Sequence, residues 1–115
     1  MLGLHWIADA RGCPRERLTR VHLGTALREL PDRLGLRRVS EPQLFEHEDD
    51  SGAADSIAGL VLIAESHVSL HAFVAQGALH ADVFSCRAVD FSLARSYLAE
   101  HFGALQISET MLERG

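Results

Sequence analysis

A chain of 115 residues, 47% of them apolar, has material for one domain with one modest core. Its 11 basic and 16 acidic residues leave a net charge of −5, which argues against nucleic acid, because nothing supplies a phosphate-neutralising surface. The longest apolar run, residues 57–64, is eight residues, far short of the ~20 needed to span a bilayer, and the N-terminus lacks the basic and apolar regions of a signal peptide.

Residues 4–9 are short, apolar-rich and predict a first strand. Pro14 stands where a helix can begin, and Leu18, Val21, Leu27 and Leu30 follow at roughly helical spacing up to Pro31. Eight of the 11 arginines fall at or before Arg38, which reads as a solvated helix face. A second strand is expected over 36–45, where Pro42 demands an edge position or a bulge. Residues 46–55 carry Glu46, Glu48, Asp49, Asp50 and Asp55 around Ser51-Gly52, with no basic residue, and read as a mobile loop. Residues 57–64 form a buried strand by composition and 67–74 another. Gln76-Gly77 marks a turn and 79–86 the returning strand. Asp90 caps a helix running to about Phe102, with Ala94, Tyr97, Leu98 and His101 on one face, and 105–111 can close the sheet. The order β-α-β-β-β-β-α-β predicts an α+β fold, a two-layer α/β sandwich with an antiparallel sheet and helices packed on one face. The whole chain, 1–115, reads as one domain.

Polar groups inside apolar strands mark where chemistry can sit, since burying them costs free energy. Glu65, Ser66, His67, Ser69 and His71 interrupt the apolar strands, and Cys86 closes the next one. With the hairpin turn centred near Gln76, residues whose numbers sum to about 152 face each other, bringing Ser66 opposite Cys86 within ~5 Å at Cβ. A metal site is disfavoured. His67 and His71 share a strand face but are about 13 Å apart at ~3.3 Å per residue, and His80, Asp82 and Cys86 add no compact ligand spacing. His5, His22 and His101 read as surface or helix-face residues. Ser66 with His71 as base lacks the G-x-S-x-G elbow and an orienting carboxylate. A purely structural reading, with Ser66 and Ser69 as hydroxyls satisfied by the sheet, stays open.

All 11 basic residues are arginine. Without lysine the chain cannot hold pyridoxal phosphate as an internal aldimine, nor form a P-loop. The two cysteines, Cys13 and Cys86, make no disulfide framework, so free thiols and a cytoplasmic location are expected.

The string Ala64-Glu65-Ser66-His67-Val68-Ser69-Leu70-His71, with Asp82-Val83-Phe84-Ser85-Cys86 after it, resembles the self-processing core of prokaryotic S-adenosylmethionine decarboxylases. The opening Gly3-Leu4-His5-Trp6-Ile7-Ala8-Asp9, with Cys13 beyond it, is similar to that family's first strand. The resemblance covers most of the chain, most weakly 46–55 and beyond Leu105. It implies an enzyme, a pyruvoyl-dependent carboxy-lyase that makes its own electrophile. Ser66 would attack the carbonyl of Glu65, the resulting ester would eliminate, and hydrolysis would leave chains 1–65 and 66–115, the second beginning with a pyruvoyl group derived from Ser66. His71 would be the processing base and Cys86 the general acid toward the product carbon. No pyridoxal phosphate and no metal are then needed. The resemblance also implies a homodimer of processed protomers, with both subunits contributing to a small-molecule substrate site, and a place in polyamine synthesis. A thiol, protonated at neutral pH in water, suits the acid role. Ser66 and His71, however, have opposite strand parity.

The departures from the family pattern bear on substrate. Thr-Trp-Pro-Glu after the histidine is here Ala72-Phe73-Val74-Ala75. Phe73 can still stack on a ring, but Ala75 supplies no carboxylate. Ala58, before Gly59, replaces a serine that assists processing in relatives. An acidic loop with Glu48 and Asp49 replaces one that carries an aromatic. S-adenosylmethionine is the lead substrate, with Phe73, Glu48 and Asp49 as candidate binding residues. Ornithine or arginine is the alternative, and an unprocessed, non-catalytic binding protein is a third reading.

Overall fold

Alternating burial along the strands decides the architecture. In β1 (Gly3–Arg11) Trp6, Ala8 and Ala10 are buried while His5, Ile7 and Asp9 are partly exposed, the period of two expected when one sheet face is covered. The computed structural model describes residues 2–115. A 3-10 turn at Arg15–Arg17 follows β1, then α1 (Arg20–Arg33), β2 (Gln43–Glu48), β3 (Ala54–Ile63), β4 (Ser66–Phe73), β5 (Ala78–Ser85), α2 (Phe91–Phe102) and β6 (Gln106–Arg114). The six strands form one antiparallel sheet in the order β2-β3-β4-β5-β1-β6. Both helices cover the same face, giving the expected α+β sandwich. Among the described residues no helix is long and apolar enough to cross a membrane.

The helices begin where capping side chains allow. The Thr19 hydroxyl accepts the His22 backbone N–H at 3.2 Å and opens α1. Leu23, Ala26, Leu27 and Leu30 then make its buried stripe. Val21, which the spacing includes in that stripe, is 75% exposed. Pro31 does not end the helix. It lies buried in the last turn, where its missing N–H forfeits one intrahelical bond. In α2 the Asp90 carboxylate accepts the Ser92 N–H at 3.0 Å, and Gly103, at φ 67°, provides the left-handed exit. Trp6 stacks on Phe91 with ring centres 5.8 Å apart, and its indole N–H donates to Glu109 at 2.9 Å. One side chain thus joins β1, α2 and β6 through the core.

The edge strands differ most from expectation. The strand foreseen over 36–45 lies further on, at Gln43–Glu48, and upstream only Arg38 makes an isolated bridge, to Ile63. Pro42 sits just ahead of this strand, so no bulge is needed to accommodate it. Glu46 and Glu48, assigned to a loop from their charge, belong to β2. The turn proper spans 49–53, where the Asp49 carboxylate accepts the Ser51 and Ala53 N–H groups. Apart from half-buried Leu44, β2 is exposed along its length, so its composition carries no core signal.

Gly59 is packed tightly between β2 and a side chain of α1. A Cβ there would sit 2.5 Å from Leu44 Cδ2, 2.8 Å from Leu27 Cδ1 and 3.1 Å from the Gln43 carbonyl oxygen. The side chains could shift but the paired backbone cannot. Gly59→Ala is therefore expected to destabilise the fold by about 1–3 kcal/mol, measured by denaturant unfolding in a Ser66→Ala background.

The register defines the uncovered face. One row crosses it through Leu62, His67, Phe84, His5 and Leu112, and a parallel row through Phe45, Ala58, His71, His80 and Asp9. With His47 also on this side, five of the seven histidines share the open face. Phe45 is 64% exposed there, Leu62 48% and Leu112 46%.

Candidate active site

The β3–β4 hairpin turns on two residues, Ala64 and Glu65, since Ile63 pairs with Ser66. Two-residue hairpin turns favour backbone angles that require positive φ at one or both central positions, usually met by Gly or Asn. Neither residue type is present here. Ser66, immediately after the turn, is the only non-glycine with positive φ among the described residues, at 156°. Such a conformation costs of order 1–3 kcal/mol and persists only when its surroundings impose it.

Those surroundings are hydrogen bonds on both flanks of Glu65 and Ser66. The Cys86 N–H donates to the Glu65 carbonyl oxygen at 3.1 Å. The Ala64 N–H donates to the Arg37 carbonyl at 2.8 Å, and the Arg37 N–H to Glu65 Oε1 at 3.2 Å. Beyond the turn the Val39 N–H donates to Leu62 O at 2.9 Å and the Leu62 N–H to Ser40 Oγ at 2.9 Å. Residues 37–40 thus pin the outer side of the hairpin. Ser85 Oγ donates to the Arg87 carbonyl at 2.6 Å, and Arg87 Nη2 to the Gly35 carbonyl at 2.6 Å, which fixes the segment bearing Cys86.

Ser66 pairs in register with Ser85, and Cys86 falls opposite Glu65. The sequence arithmetic, which set Ser66 against Cys86, is therefore one residue out, because the β4–β5 loop centres between Ala75 and Gln76. The consequence is chemical. Cys86 offers its backbone N–H to the carbonyl that the expected serinolysis attacks, and the residue itself is exposed. Cys13 is different: it is buried, and burial pushes its thiol above its ordinary value, which keeps it protonated and inert.

Ser66 Oγ lies 3.1 Å from His67 Nδ1. Sequence reasoning assigned the base role to His71 and gave His67 none. His71 is five residues along the strand, about 16 Å at ~3.3 Å per residue, and on the opposite parity. Its ring stacks on Phe73 at 4.3 Å, and directly across the pair from it lies Ala58. His71 and Ala58 border a concavity of about 340 Å³ on the open face, lined also by Phe45, Ser69, His80 and Asp82. Glu48 and Asp49 are farther still, at the other end of β3, about 30 Å from Ser66 by strand length. Within one protomer the fold brings Glu65, Ser66, His67 and Cys86 together. It leaves His71 and Phe73 in a second group, with Glu48 and Asp49 at the far end of the sheet.

Two carboxylate–imidazole contacts also went unforeseen. His5 Nε2 is 2.9 Å from Asp82 Oδ1, and His80 Nε2 is 3.7 Å from Asp9 Oδ1. They join β1 to β5 across 70 residues or more of sequence. The only trace in the sequence is that His and Asp alternate with apolar residues on both strands. Among the described residues no three His, Cys, Asp or Glu side chains converge as a metal site. His22 and His101 belong to the helix side, where burial, then His101 and Arg17, hold the His22 imidazole below its ordinary value.

Comparison with known proteins extends this picture. A family model described as S-adenosylmethionine decarboxylase matches residues 4–115. An S-adenosylmethionine decarboxylase proenzyme of Acidithiobacillus ferrooxidans is 34% identical over 116 residues, covering 99% of this chain and 83% of that one. A proenzyme of the same name from Anoxybacillus flavithermus is 41% identical over 64 residues, a match spanning about half of the relative's length, 51%. The crystal structure of the adenosylmethionine decarboxylase from Aquifex aeolicus superposes with a TM-score of 0.81 at 26% identity, covering 99% of this chain and 91% of that one.

Proposed function

The chain belongs to the S-adenosylmethionine decarboxylase family, and we propose that it is a self-processing, pyruvoyl-dependent decarboxylase that divides between Glu65 and Ser66 into chains 1–65 and 66–115. The observation that carries this reading is the Glu65–Ser66 junction. A serine with φ of 156° has its hydroxyl 3.1 Å from an imidazole nitrogen, and the preceding carbonyl oxygen accepts an N–H at 3.1 Å. A nucleophile, a proton acceptor and a donor to the developing oxyanion meet at one peptide bond. The residues present thus fit formation of the group from Ser66, in a chain with no lysine to serve instead. A pyruvoyl group supplies an electron-withdrawing carbonyl that takes up the electron pair left when CO2 departs.

The chain's own residues take the other roles. Cys86 Sγ, exposed beside the junction, holds the proton returned to the product carbon. His71 and Phe73, remote from Ser66 in one protomer, serve the site of a second copy. The open sheet faces of two chains pack together, covering Phe45, Leu60, Leu62 and Leu112, each at least 36% exposed in the single chain. Phe73 then offers a face to the substrate's adenine ring. We place the enzyme in the cytoplasm, in keeping with its free thiols, and in polyamine synthesis.

The lead substrate is S-adenosylmethionine. A second reading, decarboxylation of ornithine or arginine, is favoured by Ala75 and by the acidic β2–β3 hairpin with Glu48 and Asp49 on the same end of the sheet as Phe73. The mass of the purified protein under denaturing conditions tests the class. Fragments 1–65 and 66–115, the latter with a pyruvoyl terminus, are expected, and a persistent single species of 12.6 kDa overturns the reading. Release of label from carboxyl-labelled S-adenosylmethionine is expected next. Release from ornithine or arginine alone would move the assignment to the second reading.

A further inference from the structure

We infer that His67, and not His71, is the base for the first step of self-processing, the acyl shift from Ser66 nitrogen to Ser66 oxygen. The inference rests on the self-processing reading above and assigns its first proton transfer to a named atom. His67 Nδ1 is 3.1 Å from Ser66 Oγ, within reach for direct transfer. In the tautomer with its proton on Nε2, Nδ1 accepts the hydroxyl hydrogen bond and then the proton. No other imidazole contacts the Ser66 hydroxyl among the described residues.

The ring of His67 is held from outside the hairpin. His67 pairs in register with Phe84, and the two ring centres are 5.9 Å apart. Phe84 is itself packed against the His5 ring, with centres 6.0 Å apart, and against the Arg114 guanidinium 4.5 Å from its centre. A residue adjacent in sequence to Ser66 normally points to the other face of the strand. Here the positive φ at Ser66 departs from regular strand geometry, and the hydroxyl reaches the neighbouring imidazole. The distorted backbone thus has a function, joining a nucleophile and a base that regular geometry would separate.

The step balances without any added reagent. Ser66 Oγ bonds to the Glu65 carbonyl carbon as His67 Nδ1 takes the hydroxyl proton, and the Cys86 N–H holds the oxyanion. The bond from that carbon to Ser66 nitrogen then breaks, and His67 returns the proton to the departing nitrogen. The product is an ester of Glu65 on Ser66 Oγ beside a free α-amine, an isomer of the starting chain. Elimination of that ester requires removal of the Ser66 Cα proton, a separate task left to His71 of a second copy. The two histidines therefore act in sequence.

The difference can be read without turnover. His67→Asn keeps a polar atom near the Nδ1 position but no base, and His67→Ala opens room for imidazole from solution. The experiment follows denatured mass over time for wild type and both variants, with and without hydroxylamine, which severs an ester at Glu65 and leaves a peptide bond intact. In His67→Asn the cleavage rate should fall by about 10²–10⁴-fold, with the accumulated chain resistant to hydroxylamine. Added imidazole should accelerate cleavage of His67→Ala. His71→Ala should instead accumulate a hydroxylamine-sensitive chain. Cleavage of His67→Asn at the wild-type rate, a hydroxylamine-sensitive His67→Asn chain, or no response to imidazole overturns the assignment while the self-processing reading stands. An uncleaved wild type overturns both.

Discussion

Ser66→Ala is expected to leave one 12.6 kDa species on any length of incubation and to abolish label release from every carboxyl-labelled substrate. The expectation is absolute because nothing else in the chain can substitute. Alanine has no oxygen to attack Glu65, and without lysine no side-chain amine can hold an alternative carbonyl cofactor. Cys86→Ala separates the two stages. It removes the thiol but keeps the backbone N–H that donates to the Glu65 carbonyl at 3.1 Å. Processing should therefore continue, while turnover of the processed enzyme falls by about 10²–10⁴-fold for want of a positioned acid. Denatured mass reports the first effect and label release the second. Turnover by uncleaved Ser66→Ala, or a complete processing block in Cys86→Ala at unchanged melting temperature, would overturn the respective assignment.

How much of this was legible depends on where each residue sits relative to the core. Strands β3, β4 and β5 and helix α2 bury apolar residues at the period their backbone demands, and Asp90 caps α2 as its position predicts. Strand β2 has only Leu44 partly buried, so its acidic composition reads as loop although its backbone is paired with β3. The Ser66 partner was missed for a different reason. A one-residue change in the centre of the β4–β5 loop replaces Cys86 by Ser85 opposite Ser66, and Gln76-Gly77 marks the turn without fixing its centre to the residue. The contact between Ser66 and His67 was hidden because regular alternation places neighbours on opposite faces, and the sequence does not announce that Ser66 leaves that geometry. The opposite parity of Ser66 and His71 was legible, and the strand register keeps it, with His71 opposite Ala58 and His80 and Ser66 opposite Ile63 and Ser85.

That parity leads to the second large effect, complementation between two inactive chains. Ser66→Ala lacks the nucleophile and His71→Ala lacks the base for elimination, so neither should cleave alone. With Ser66 and His71 about 16 Å apart along one strand, a two-fold dimer can supply His71 of one chain to Ser66 of the other. In a mixed dimer the His71→Ala chain keeps its own Ser66 and receives the partner chain's intact histidine. At equal concentrations about half of the His71→Ala chains sit in mixed dimers of a two-fold assembly. Refolding the two variants together, with a mass tag on one, should thus split about that share of His71→Ala chains and none of the Ser66→Ala chains. If both residues acted within one protomer, mixing would restore nothing. In the proposed dimer the open face is the surface of association, since it exposes Phe45, Leu62 and Leu112 together. Replacing Phe45 and Leu62 by aspartate places unpaired charge in that interface. The same mixture should then fail to cleave, and sedimentation should report monomers. A variant pair that still dimerises but does not complement would instead assign the open face to assembly and remove His71 from the shared site.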